Sequence, residues 1–279
     1  MTTEPPLRVC SFESRRGAEM RSLLERYGYE ATIAPSMREV PLDEHAAVFQ
    51  FVDELRADRI GIVVFMTGVG ARALLAAVET RYPKDEFFRM LDGVTVVVRG
   101  PKPVAVLREW GIRIDHRAPE PNTWRELVRT LDEFVPLSGK TIAVQEYGVP
   151  NAEFYAALTA RGATILTVPV YRWEFPEDPE PLRSSVHATI AGQFDVLMLT
   201  SANQLHNVIK MADAEGVREE WLAAASKCVI ASIGPTASET IQSYGLPVDI
   251  EPAHGKMGTL VRETSERAPT ILTSKRVNR

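Results

Sequence analysis

One spacing constrains this chain more than any other feature. Leu24, Gly28, Pro35 and Arg38 recur as Leu158, Gly162, Pro169 and Arg172, each 134 residues further on. At the same distance Thr67 is matched by Ser201, Gly100-Pro101 by Gly234-Pro235, Gly111 by Gly245 and Asp115 by Asp249. An ungapped spacing that aligns turn and helix-end residues across more than 90 positions predicts an internal repeat. The plainer alternative is two unrelated α/β segments with similar turns.

Within each half the apolar pattern predicts three βα units. Arg8 to Phe12 reads as a short strand, followed by a helix with Met20, Leu23, Leu24 and Tyr27 on one face and Gly28 at its end. Ile60 to Met66 and Val94 to Val98 are continuous apolar strands, each followed by a helical stripe. Thr141 to Gln145, Val196 to Thr200 and Val229 to Ile233 repeat them, with helices centred near Ala157, Val208 and Ile241. A fourth helix is expected around Leu127 to Phe134 and again around Leu260 to Glu266. Strands that are apolar throughout are buried on both faces, which calls for parallel sheets covered by helices. The expected fold is therefore two similar doubly wound α/β domains. Pro35 to Leu42 and Pro169 to Pro176 are extended and proline-bounded, the natural linker strands between them. The basic stretch from Thr270 onward lacks periodicity and is expected to fray.

Composition removes several classes. The 32 Lys and Arg against 37 Asp and Glu leave a net charge of −5, unsuited to coating nucleic acid or anionic lipid. No apolar run approaches a membrane span, and Met1 to Leu7 has no positive or apolar signal region, so a cytosolic protein is expected. Cys10 and Cys228 stand far apart, without a CxxC partner, and read as reduced, buried side chains. The five histidines show no metal-ligand spacing, so no metal is expected.

Ligands of open α/β sheets bind at the carboxyl ends of strands, where helix N-termini converge. Three kinds of corner fall there. Thr67-Gly68-Val69-Gly70 and Thr200-Ser201-Ala202-Asn203 combine a hydroxyl with small residues; each could equally be an ordinary helix cap. Arg99-Gly100-Pro101-Lys102 and Gly234-Pro235-Thr236-Ala237 put glycine and proline at a helix start. Gly68 to Ala73 also fits a dinucleotide fingerprint, with Arg99 placed to meet a 2′-phosphate. Against NADP, the motif follows the second strand of its half, its counterpart at Ser201 lacks the glycines, and no acidic residue follows at the usual distance. Tyr147 at a strand end and Tyr171 in a linker could each donate a proton into an interdomain cleft, or simply pack.

Taken together, Val170-Tyr171-Arg172, Leu199 to Asn203, Ile233 to Thr236 and Lys256-Met257-Gly258-Thr259-Leu260-Val261 resemble the uroporphyrinogen-III synthase family. The likeness runs from the first strand to about Arg262, and the Thr67 and Arg99 corners resemble a bacterial branch. Two departures stand out: Ala237 follows Thr236 where many members have a second threonine, and Pro103 replaces a threonine of some members. The resemblance implies a discontinuous domain of residues 1–37 plus 174–279, a second of 38–173, and linker strands near 36–42 and 169–176. It also implies the substrate hydroxymethylbilane, supplied by hydroxymethylbilane synthase, and a cofactor-free cyclisation by a monomer. Arg15, Arg99, Lys102 and Lys256 would add positive charge around the carboxylates of that substrate, beside the Thr67, Thr200, Ser201 and Thr236 hydroxyls. Tyr171 is the expected proton donor. A cytosolic two-lobed sensor of an acidic ligand is the rival from another class.

Overall fold

The computed structural model describes residues 5–42, 44–146 and 148–277. The chain begins with β1 (Arg8–Ser11), α1 (Gly17–Arg26) and β2 (Glu30–Ile33), then enters the linker strand β3 (Arg38–Pro41). There follow α2 (Ala46–Arg56), β4 (Ile62–Phe65), α3 (Gly68–Glu79), α4 (Lys84–Asp92), β5 (Thr95–Val98) and α5 (Pro101–Glu109). The middle of the chain continues with β6 (His116–Arg117), α6 (Trp124–Phe134), β7 (Thr141–Gln145), α7 (Ala152–Thr159) and β8 (Thr164–Val168). The second linker strand, β9 (Tyr171–Glu174), pairs with β3 in a two-stranded sheet of its own. Last come α8 (Glu180–Ile190), β10 (Val196–Leu199), α9 (Ala202–Ala214), α10 (Arg218–Ala225), β11 (Val229–Ser232), α11 (Pro235–Ser243) and α12 (Met257–Val277).

Two compact units result. Unit 1 takes residues 1–38 and 174–279, and unit 2 takes 39–173, so the first boundary falls just after Arg38 rather than just before it. Unit 1 holds a parallel sheet in the order β11-β10-β1-β2, and unit 2 one in the order β6-β5-β4-β7-β8. Alternate residues of each strand feed opposite faces, as strand geometry requires. In unit 1, Leu197 and Leu199 pack with α8 to α11 residues such as Val186, Val208 and Trp221, whereas Val196 and Met198 pack with Met20, Leu24 and Leu260. In unit 2, Val63 and Phe65 join Phe51, Leu74 and Phe87, whereas Ile62 and Val64 join Leu127, Leu131 and Phe154. Each such apolar side chain contributes about 1.5–3 kcal/mol when fully buried, which explains why the central strands are uninterrupted runs of Val, Ile and Leu.

The pairing registers refine the constant spacing. Ile62 pairs with Thr95 and Val196 with Val229, so β4 and β10, and β5 and β11, stay 134 residues apart in register. Ile142, however, pairs with Ile62 and Ile165, where Val9 pairs with Val196 and Ala31. Ile142 thus occupies the place of Val9, one residue short of the ungapped spacing, and Glu146 the place of Glu13.

The C-terminal stretch does not fray as expected. It extends α12 through Val277, buries Leu272 and sets Lys275 Nζ 2.6 Å from Asp249 Oδ2 and 2.7 Å from the Cys228 carbonyl. Arg276 reaches Asp195 Oδ1 at 3.0 Å, beside Arg8, whose Nε donates to Oδ2 of the same carboxylate at 3.0 Å. Those aspartates lie far away in sequence, so the helical stripe and its partners are invisible in the local pattern. Cys10 and Cys228 are both free and buried. Burial pushes the Cys10 thiol well above its ordinary pKa, which makes it an apolar packing group.

Candidate functional site

The described candidate residues other than Tyr171 fall at the carboxyl ends of the two parallel sheets, in two groups. Unit 1 carries Arg15 after β1, Thr200, Ser201 and Ala202 between β10 and α9, Gly234, Pro235 and Thr236 between β11 and α11, and Lys256 before α12. Unit 2 carries Thr67, Gly68 and Val69 after β4, Arg99, Gly100 and Lys102 after β5, and Tyr171 in β9. Tyr147 lies outside the described residues.

Unit 2 brings its corners into contact. A side-chain carbon on Gly68 would fall 2.8 Å from the Lys102 carbonyl, so glycine is what allows the starts of α3 and α5 to touch. Gly70 faces the amide of the buried Gln145, whose Oε1 accepts the Thr67 backbone N–H at 3.2 Å. The glycines of the dinucleotide-like motif are therefore required by the protein's own carbonyl and amide. Thr67 Oγ1 accepts the Gly70 N–H at 2.9 Å, an N-cap, and Val69 stays exposed beside it. Arg99 is half-buried, Lys102 is exposed, and Gly100 packs on Asn122. Pro101 and Pro103 remove two amide hydrogens from the first turn of α5.

Tyr171 is only 3% exposed. Its ring stands edge-on to Trp173 at 5.4 Å and packs over Gly148, which holds φ 91° in the loop after β7. A methyl group on Gly148 would fall 2.8 Å from Tyr171 Cε2. The phenol thus belongs to the β7 corner of unit 2, seated in the core rather than on an open face.

In unit 1 the turns that lead into the helices are held in different ways, and neither α1 nor α11 has a side-chain cap. At α1, Glu13 Oε1 accepts the N–H groups of Arg15 and Arg16 at 2.9 and 3.0 Å, leaving the Arg15 side chain exposed. At α9, Ser201 Oγ accepts the Asn203 N–H at 3.3 Å, and the Thr200 N–H donates to Gln204 Oε1 at 2.7 Å. Thr200 and Ser201 are thus structural caps as well as candidate ligand groups. At α11 no side chain caps the helix: Gly234 and Pro235 lead into an exposed Thr236 and the Ala237 amide. Gly255 sits so close to the Ile233 carbonyl that a methyl group on it would fall 3.0 Å from that oxygen. This close approach brings the loop bearing exposed Lys256 alongside the same corner. Ala237 keeps a backbone N–H at its corner, whereas Pro103 offers none.

Glu13, Gln145 and Gln204, which hold these corners in shape, were not among the sequence candidates. The one local signal was an acidic residue just ahead of a helix, the position where a carboxylate meets the positive end of the helix dipole. Among the described residues no group of His, Cys, Asp and Glu could hold a metal ion, and no helix is long and apolar enough to cross a membrane.

Comparison with known proteins gives these corners a context. The Bacillus subtilis (strain 168) protein YjjA, described as uncharacterized, is 26% identical over 263 residues, covering 93% of this chain and 95% of its own. A mutant uroporphyrinogen III synthase from the extremely thermophilic bacterium Thermus thermophilus shares the fold with a TM-score of 0.70 at 22% identity, covering 95% of this chain and 99% of that one. The uroporphyrinogen-III synthetase of Helicobacter pylori 26695 matches with a TM-score of 0.51 at 15% identity, over 93% and 99% of the two chains. The family model for uroporphyrinogen-III synthase HemD spans residues 18–262, and the chain belongs to that family.

Proposed function

We propose that this protein is a uroporphyrinogen-III synthase, closing the linear tetrapyrrole hydroxymethylbilane to uroporphyrinogen III. The observation that carries this reading is the family match over residues 18–262 together with its motifs at strand carboxyl ends in both units. In this chemistry the lone pair of a pyrrole nitrogen expels the terminal hydroxyl as water. The substituted carbon of the last ring attacks the resulting cation to form a spiro intermediate, whose rearrangement inverts that ring and whose loss of a proton restores the pyrrole. The substrate supplies the electronic push, so the proposed lyase needs no cofactor. The protein supplies geometry, since unguided closure gives the type I isomer.

The roles follow from what each corner has left to offer. The Thr236 hydroxyl and the Thr236 and Ala237 amides suit a propionate or acetate, with Lys256 adding charge nearby. In unit 2, Arg99 and Lys102 take over the anion-binding work that Pro101 and Pro103 withdraw from the backbone. Tyr171 is the proposed donor to the departing hydroxyl, which requires the β7 corner to open because its phenol is buried here, and Tyr147 is a second phenol for the same task. We place the protein in the cytoplasm, acting as a monomer on hydroxymethylbilane released by hydroxymethylbilane synthase.

The test is to supply hydroxymethylbilane, oxidise the products and resolve the isomers. Type III product supports the synthase; type I alone refutes it and leaves the acidic-ligand sensor. A nicotinamide-dependent absorbance change would favour the oxidoreductase, which the Gln145 packing over Gly70 argues against.

A further inference from the structure

β5 ends at Val98, whose carbonyl accepts the Ala118 N–H at 3.0 Å and so closes the ladder with β6. The Arg99 carbonyl lies one residue beyond that last rung, and a side chain meets it there. The Asn122 amide turns one side towards two backbone carbonyls, which assigns its nitrogen to that side: Nδ2 donates to the Arg99 and Ala118 carbonyls, each at 3.2 Å. Both amide hydrogens are thereby used. Asn122 holds φ 60°, a left-handed conformation that asparagine tolerates, and its own N–H donates to the Pro119 carbonyl at 2.9 Å. Gly100 makes room for it, since a side-chain carbon there would fall 3.2 Å from Asn122 Cβ and Cγ. Arg99 is pinned from the other side as well, its N–H donating to the Phe65 carbonyl of β4 at 3.1 Å. In unit 1 the carbonyl 134 residues on belongs to Ile233, and Gly255, which has no side chain, is what approaches it. An asparagine clasp in one unit and a bare glycine in the other meet corresponding carbonyls.

We propose that Asn122 is a positioning residue for the Arg99 guanidinium: by holding the Arg99 carbonyl it fixes the backbone from which that side chain meets a substrate carboxylate. The inference rests on the anion-binding role proposed above for Arg99. Pro101 and Pro103 leave the first turn of α5 two amide hydrogens short, so anion contacts at this corner fall to side chains. A long side chain delivers its charge to one place only when its backbone is fixed, because a small rotation of the peptide is magnified along the arm. The left-handed backbone at position 122 asks only for asparagine, aspartate or glycine; the two carbonyls ask for the amide.

The experiment measures initial rates of type III product from hydroxymethylbilane for the wild type, Asn122→Gly, Asn122→Asp, Arg99→Ala, and Arg99→Ala combined with Asn122→Gly. Asn122→Gly accepts the backbone angle but has no amide; Asn122→Asp keeps the size but turns oxygens on two carbonyls. Both should raise KM about tenfold with kcat within about twofold, the pattern of weakened substrate binding. Arg99→Ala should raise KM at least as much, and adding Asn122→Gly to it should raise KM no further. A crystal structure of Asn122→Gly should show the Arg99 carbonyl displaced. Wild-type KM in both Asn122 variants would overturn the proposal, even with a lowered Tm, because the clasp would then be merely structural. So would KM effects of Asn122→Gly and Arg99→Ala that multiply in the double variant, or an unmoved Arg99 in the Asn122→Gly crystal. If either Asn122 variant fails to fold, the other decides. Unchanged KM in Arg99→Ala would refute the anion-binding reading of this corner and the proposal with it. Absence of type III product from the wild type would instead refute the reaction, and the place of Arg99 in the Asn122→Gly crystal would still judge the clasp.

Discussion

Replacing Gly70 with alanine tests how unit 2 holds its site. A methyl group there would lie 2.7 Å from Gln145 Oε1, inside van der Waals contact. The end of a glutamine can usually swing away, but this one is 1% exposed and is held through the Thr67 N–H and the Glu146 carbonyl. Moving it strips the Thr67 amide of its acceptor; keeping it forces α3 off the sheet. Overpacking costs about 1–3 kcal/mol, and an orphaned donor costs about 1–3 kcal/mol. Because the two routes are alternatives as much as additions, a loss of about 2–4 kcal/mol is expected. For a unit of this size that lowers the melting transition by about 5–12 °C. Scanning calorimetry on Gly70→Ala, Gln145→Ala and the double variant gives the coupling directly. The double variant should be more stable than the sum of the singles predicts by about 1 kcal/mol or more, because the methyl group then fills the space the amide leaves. Strict additivity, or a Gly70→Ala variant as stable as wild type, would refute the steric argument and return Gly70 to the dinucleotide reading.

Three further outcomes are expected. Arg99→Ala combined with Lys102→Ala should raise KM for hydroxymethylbilane with little change in Tm, since neither side chain belongs to a core cluster; unchanged affinity would remove the case for cationic anchoring in unit 2. Tyr171→Phe should lower turnover about 100-fold if the phenol protonates the leaving hydroxyl, with little change in fold because the ring remains; wild-type turnover would leave positioning as the whole mechanism. Burial pushes the Asp195 carboxyl up, but the Arg8 side chain and backbone N–H, with Arg276, more than offset it and hold the pKa below its ordinary value. The stability this confers is present above the unfolded pKa of about 4 and is lost as pH falls through the lower native value. Asp195→Asn should therefore flatten the acid limb of urea-melt stability below about pH 4; an unchanged slope would assign that limb to other carboxylates.

Much of the architecture was legible because central strands carry their signal locally. Ile62 to Phe65 and Val196 to Leu199 are buried residue by residue, as a parallel strand covered on both faces requires. The edge strands were not legible: Glu30-Ala31-Thr32-Ile33 alternates exposed and half-buried positions over four residues, too short and too polar to stand out. The end of α12 was missed for a different reason, since Asp249 and Asp195, which anchor Lys275 and Arg276, come close only in the folded unit. At the site, the hydroxyl and glycine corners were visible as motifs, while the buried side chains that hold them were not. Thr67 and Thr200 announce themselves; Gln204 lies only four residues beyond Thr200, but Gln145 and Glu13 reach these corners from another strand and another turn, and no spacing encodes that.

The interrupted construction of unit 1 has a consequence for biosynthesis. Its inner strand β1 is flanked by β2 and β10, and Val9 must wait for Val196 to be translated before that side of the ladder can close. Residues 39–173, by contrast, emerge from the ribosome as one uninterrupted stretch that contains every strand of its own sheet. Vectorial synthesis therefore favours early maturation of the inserted unit, while the first βα segment trails as an unfinished edge until the last third of the chain arrives.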